Sequence, residues 1–320
     1  MSDRFYLGDP HVHSTLSDGR LSPAELVLVA AARGLDFLAL TDHSRPVGSR
    51  EEAPLHPDSE AGGERSAMCL LPGQEVSIGG RIHFLLLGCV QPLSRARFRL
   101  ERLKELAGAV HTAGGAVILA HPWTALAGSP DRVHLLDRGF AEGWIDGLEV
   151  FSAALRPSQF DLWQRTFEHY LREWAPHRPA TLASSDWHHR RHGRALGLCC
   201  TYVQAPAPTP AAILGGIRAR RTVAVLQRAT ALEDGLYPHL LPFPDRYRAG
   251  IAWWGGNLCG PEELVEALLT LRGEAGDRLR SGAPAGRRND HRGELWRAAL
   301  SAYAAGNHRR ALALLNQTEG

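Results

Sequence analysis

Lysine is all but missing from this chain: Lys104 is the single lysine among 36 basic residues. Acidic residues number 34, leaving a formal net charge of +2, a balance that argues against a dedicated nucleic-acid surface. The arginine excess reads as a compositional bias of the source genome. No uninterrupted apolar run reaches the roughly 18 residues that a membrane span needs, so no membrane association is expected. The opening MSDRFYLGDPHVHS has neither an apolar signal core nor a cleavage site, which makes a cytoplasmic location the expectation. Five cysteines, Cys69, Cys89, Cys199, Cys200 and Cys259, show neither a paired metal-ligand spacing nor an even disulfide framework, so free thiols are expected. Nothing in the composition sets an oligomeric state.

What the chain does have is histidine and carboxylate at the margins of apolar runs. The carriers are GDPHVHSTLSDG (8–19), ALTDH (39–43), LPGQE (71–75), RIHFLLLG (81–88), VILAH (117–121) and LASSDWH (182–188). They supply nine candidate metal ligands: His11, His13, Asp18, His43, Glu75, His83, His121, Asp186 and His188. Strand side chains alternate faces, so His11 and His13 point the same way and can grip one ion. Each fragment alone is a weak signal; the set carries the weight. Imidazole mixed with carboxylate suits zinc, manganese or iron and leaves those three open. Nine ligands exceed the need of one tetrahedral ion, which points to two or three divalent ions sharing a bridging carboxylate.

At 320 residues the chain can bury a barrel-sized core with an appendage. Ser22-Pro23 is a helix start, and the helix is expected to stop at Gly34. Short buried strands are expected at 36–40, 82–88, 116–120, 144–151 and 181–184, with helices near 94–113, 156–173 and 209–220. The alternation predicts an α/β fold, a parallel barrel of seven or eight strands with its site at the C-terminal strand ends. We expect one domain over 1–229 and an extension over 230–320. The extension should be mainly helical, with a helix at 261–273, a mobile linker over 273–293 and two closing helices in ELWRAALSAYAAG and NHRRALALLNQ.

The ordered set of His-x-His, Ser-Asp-Gly, Thr-Asp-His, Gly-x-Glu, Ala-His-Pro and Ser-Asp-x-His resembles the PHP (polymerase and histidinol phosphatase) metal-dependent hydrolases over roughly residues 5–228. The resemblance implies a distorted seven-stranded barrel. It also implies one ion on His11, His13, Glu75 and Asp186, a second on Glu75, His83 and His121, and a third on Asp18, His43 and His188. Residues 193–225 are similar to the branch of that family that contains carbamate-hydrolase-like proteins. Amidohydrolases also open with His-x-His, and many bridge their ions with a modified lysine. Here Lys104 sits at helical spacing among Leu103, Leu106, Ala107 and Val110 and reads as a solvated helix residue.

The expected function is hydrolysis of a small-molecule phosphate ester by a hydroxide between ions bridged by Glu75. Glu75, Asp186, His188 and Arg194 are the candidate catalytic residues, and Arg190, Arg191 and Arg194 offer planar donors for a phosphate. Hydrolysis of a carbamate or amide on the same centre, or a catalytically silent metal-binding module, are the other readings. The polar stretch 44–68 either covers the site or is a surface excursion. Glu149, at another strand end, falls outside the filled ligand set and reads as structural or as support for a ligand.

Overall fold

The computed structural model describes residues 4–43, 68–78, 82–89, 102–126, 130–155, 159–188, 196–227, 250–254 and 257–259. Its first strand, β1 (Arg4–Val12), is buried from Leu7 onward. It pairs in parallel with β2 (Phe37–Leu40). Gly8 faces Phe37 in that register, and a Cβ on Gly8 would lie 2.3 Å from the Phe37 ring. Only glycine lets the ring cover the strand there.

The helix between them, α1 (Pro23–Ala32), starts where the sequence marks it. The Ser22 side chain accepts from the Glu25 backbone N–H while the Glu25 carboxylate accepts from the Ser22 N–H. This reciprocal capping, worth about 1 kcal/mol, is followed by burial of Leu26, Val27 and Ala30. The chain then turns at Gly34, whose φ of 77° suits glycine.

β3 (Cys69–Pro72) adds to β2 in parallel, and the chain passes through Gly73 and Gln74 into β4 (Glu75–Ile78), which opens a second sheet. That sheet continues with β5 (Ile82–Leu87), β6 (Ala116–Ala120), β7 (Gly147–Ser152) and β8 (Ala180–Ser184) in sequence order. Helices α2 (Leu103–Thr112), α3 (Trp123–Leu126), α4 (Pro130–Ala141) and α5 (Phe160–His169) lie in its connections. A π turn (Tyr170–Trp174) and a 3-10 turn (Ala175–His177) extend α5. The chain then returns to the first sheet with β9 (Cys199–Ala205), α6 (Pro210–Arg218) and β10 (Thr222–Gln227), followed by β11 (Gly250–Trp254) and β12 (Asn257–Cys259). The order in that sheet is β12-β11-β10-β9-β1-β2-β3.

The expected single parallel barrel is therefore observed as a mixed α/β fold of two sheets. β5 is antiparallel to both β4 and β6. The reason is length: residues 79–81 cannot make the dozen-residue crossover that a parallel pair needs. β9 and the strands after it are antiparallel as well. The strand expected from 144 begins at Gly147, because the Trp144 and Ile145 amides still bond to Gly139 O in α4. Residues past 229 contribute β11 and β12 to the first sheet, strand within a segment expected to be mainly helical. The helix at 261–273, the linker and the two closing helices lie outside the described residues. No described helix is long and apolar enough to cross a membrane.

The run Phe84–Leu87 is buried on both faces, which explains why its sequence does not alternate. Each such leucine contributes about 1.5–3 kcal/mol by leaving water. Two isolated parallel bridges, Val12 with Trp187 and His43 with Glu75, tie the sheets together at strand ends. In them the His13 N–H donates to Trp187 O at 2.9 Å and the Glu75 N–H to Thr41 O at 2.9 Å.

Candidate metal centre

Both bridges fall among the candidate ligands, and the structure gathers all nine of those residues at this rim. His11 and His13 leave β1 on one side, with their Nε2 atoms 3.0 Å apart. Glu75 Oε2 lies 3.4 and 3.2 Å from those two nitrogens, and Asp186 Oδ1 lies 3.2 Å from each. A tetrahedron with donors about 2.0–2.1 Å from its centre has edges of about 3.3 Å, so these four atoms have the spacing of one ion's coordination shell.

The other oxygen of Glu75 faces elsewhere. Oε1 lies 2.8 Å from His83 Nδ1 and 3.1 Å from His121 Nε2. His83 precedes its apolar run instead of following it, and the antiparallel direction of β5 explains this. The start of β5 lies at the same rim as the end of β6, where His83 pairs with Ala120 just before His121. Glu75 is thus placed to bridge two positions. A third cluster joins Asp18, His43 and His188, and the structure adds His13 through its second ring nitrogen. Asp18 Oδ2 is 3.7 Å from His43 Nε2 and 3.4 Å from His188 Nε2, while Oδ1 is 3.6 Å from His13 Nδ1. The clusters differ in exposure: the first is buried throughout, whereas Asp18 in the third is 54% exposed.

The chemistry of this donor set fits metal ions. Among the described residues His13 Nδ1 and Asp186 Oδ1 are buried without a hydrogen-bond partner, a costly state unless something else satisfies them. Burial alone would lower the His11 pKa, but Asp186, Glu149 and Glu75 outweigh it and hold the ring well above its ordinary value. His13 is raised in the same way to about 9, burial being overcome by Asp186 and Glu75. Burial would raise Glu75 and Asp186, yet the histidines, His11 foremost, hold both carboxylates below their usual range. Excess positive charge is therefore favoured at this spot, which divalent cations supply as well as imidazolium does.

Two of the candidate ligands sit in the left-handed backbone region, His121 at φ 27° and Asp186 at φ 49°. Such strain collects at functional sites and persists only where the surroundings hold it. Here two carboxylates hold it. Glu149 accepts from His11 Nδ1–H at 2.9 Å and from the His121 backbone N–H at 2.7 Å, and it also accepts from the Ser184 hydroxyl. This orients the His11 ring with Nε2 towards Glu75 and Asp186, the arrangement usual behind metal-bound histidine. Asp9, which the sequence reading did not single out, accepts from the His11 N–H at 3.3 Å and the Ser185 N–H at 3.0 Å. Its burial pushes the carboxyl up to about 7. His188 Nδ1 donates to Asp186 O at 2.9 Å, leaving Nε2 for the third cluster. Arg190, Arg191 and Arg194 lie outside the described residues. Cys69, Cys89, Cys199 and Cys200 are buried thiols.

No family model matches the chain. A 3',5'-nucleoside bisphosphate phosphatase of Chromobacterium violaceum is 33% identical over 171 residues, 47% of this chain and 55% of that protein. A 5'-3' exoribonuclease of Haemophilus influenzae is 42% identical over 69 residues, 22% of this chain and 23% of that one. Both of these homologues are phosphoesterases. The match spans about half the length of the first of them and less of the second. Among solved structures, a two-domain protein of Bacteroides vulgatus containing a predicted PHP-like metal-dependent phosphoesterase aligns with a TM-score of 0.47. It is 19% identical, over 85% of this chain and 70% of that one.

Proposed function

We propose that the chain is a metal-dependent phosphoesterase acting on a small phosphate ester of nucleotide type. The observation that carries this is Glu75, whose two oxygens face two separate ligand clusters. The Chromobacterium violaceum homologue is a 3',5'-nucleoside bisphosphate phosphatase, which supports the substrate class. His11, His13, Glu75 and Asp186 would hold one ion, Glu75, His83 and His121 a second, and Asp18, His43, His188 and His13 a third. Manganese, zinc or iron suits this mixed set. When bound, such ions lower the pKa of coordinated water towards about 7 and neutralise charge on the phosphate oxygens.

The chain's own residues do the rest. Glu75 and Asp186 fix the spacing of the cationic positions, and Glu149 and Asp9 keep their neighbours from relaxing. His188, half-buried at the rim, is placed to orient the ester, with Arg194 as our candidate for the non-bridging oxygens. We also read the two sheets as one distorted ring of seven strands, β1-β2-β4-β5-β6-β7-β8, whose closure is supported by the two bridges at the rim. A catalytic domain over 1–229 with an extension after it, in the cytoplasm, remains our reading.

The test is one preparation assayed on nucleotide phosphates, aryl phosphates and aryl carbamates, with manganese, zinc and iron supplied in turn. A dianionic ester is favoured by a multinuclear centre over a neutral carbamate. Faster phosphate turnover is the expected result; faster carbamate turnover under every metal overturns it. Arg194→Ala should raise KM or lower kcat for phosphates.

A further inference from the structure

We propose that Asp42, which belongs to none of the three ligand clusters, is the positioning residue that builds the third one. This rests on reading that cluster as an ion site. Asp42 is fully buried between Thr41 and the ligand His43. Its Oδ1 accepts from the Ser14 N–H at 2.8 Å and from the Ser17 hydroxyl, and its Oδ2 accepts from the Ser14 hydroxyl at 2.7 Å.

Those partners organise the whole loop that carries Asp18. Ser14 O accepts from the Ser17 N–H at 3.1 Å and the Gly19 N–H at 2.9 Å, while the Ser14 hydroxyl accepts from the Leu16 N–H at 3.1 Å. Ser17 Oγ also lies 3.2 Å from Asp18 Oδ1. Gly19 folds so tightly back that a Cβ would lie 2.2 Å from His13 O. Asp18 itself is half-exposed, and an exposed carboxylate on a loop gains its aim from the loop's backbone. One carboxylate therefore sets the distance between two third-cluster ligands, Asp18 and His43, that come from different elements. A residue that merely filled space would lower stability without choosing among the three clusters.

The experiment titrates metal-free protein with manganese ions and reads free manganese by electron paramagnetic resonance, with circular dichroism as the check on folding. Asp42→Ala should weaken the weakest class of manganese sites by about 10–100-fold, the usual effect of losing a partner behind a ligand. The tighter classes should stay within about threefold of the unsubstituted protein. Asp42→Asn should stay close to the unsubstituted protein, because its carbonyl can accept from Ser14 and Ser17 while its amide donates to the Ser14 hydroxyl. If Asn is as damaging as Ala, the charge and not the hydrogen bonding matters, and the positioning role is overturned. Ser17→Ala, on the exposed loop, should weaken the same class by about 3–10-fold. It decides the matter if Asp42→Ala does not fold, since an unchanged weak class then overturns the proposal. Asp18→Ala separates the two layers of inference. Loss of the weak class in Asp18→Ala but not in Asp42→Ala defeats the role of Asp42 alone. No change in Asp18→Ala defeats the third ion and Asp42 with it.

Discussion

Glu75, 2% exposed and within 3.4 Å of ring nitrogens from His11, His13, His43, His83 and His121, concentrates the residue-scale consequences. Glu75→Ala should lower bound metal at two positions together; elemental analysis showing a loss at one position, or none, would contradict the bridging role. The metal-free protein gives a second prediction. His13, near 9 in the fold against an ordinary value of about 6.5, stabilises fully below pH ~6.5 and loses that contribution as pH rises through ~9. Glu75 and Asp186 are held low, so their contributions are present above their ordinary range of about 4 and are lost only as pH falls through their folded values. The melting temperature without metal should therefore fall between pH ~6.5 and ~9. Adding metal should flatten or reverse that slope, because ligation requires neutral imidazole. A rising metal-free melting temperature across the same interval would show that His13 is not charged in the fold.

At the scale of elements, a close packing constraint is the contact of β1 with β2. Gly8→Ala puts a methyl against the Phe37 ring and should cost about 1–3 kcal/mol in a denaturant titration. Combining it with Phe37→Ala should give less than the sum of the two single losses. That the nine candidate ligands would meet was legible in the sequence, because His-x-His has the strand period and the other candidates flank apolar runs. Strand direction was not: IHFLLLG reads the same whichever way it runs, and only the short link at 79–81 makes β5 antiparallel. Asp9 and Asp42 were illegible for a different reason. Each sits one or two residues from a ligand, and its role depends on which amide or hydroxyl another element brings to it. Glu149 could be set apart only because enough ligands were already in hand.

At the scale of the molecule, every candidate ligand precedes residue 190, yet β11 and β12 cover the edge of β10. A chain ending near Arg228 should keep its metal stoichiometry while losing solubility, since it exposes an unpaired strand edge. Loss of metal from such a chain, still folded, would place part of the site beyond that point. The two bridges between the sheets have a mechanical consequence. They lie where the candidate ligands lie, so bound ions would act as a rivet through the seam of two halves that are also joined by packing and by side-chain hydrogen bonds such as His11 to Glu149 and Ala183 to Thr201. Loaded protein should unfold in the calorimeter as one unit. With the rivet drawn by a chelator, the halves should begin to part separately, seen as a broadened transition whose van't Hoff enthalpy falls below the calorimetric one.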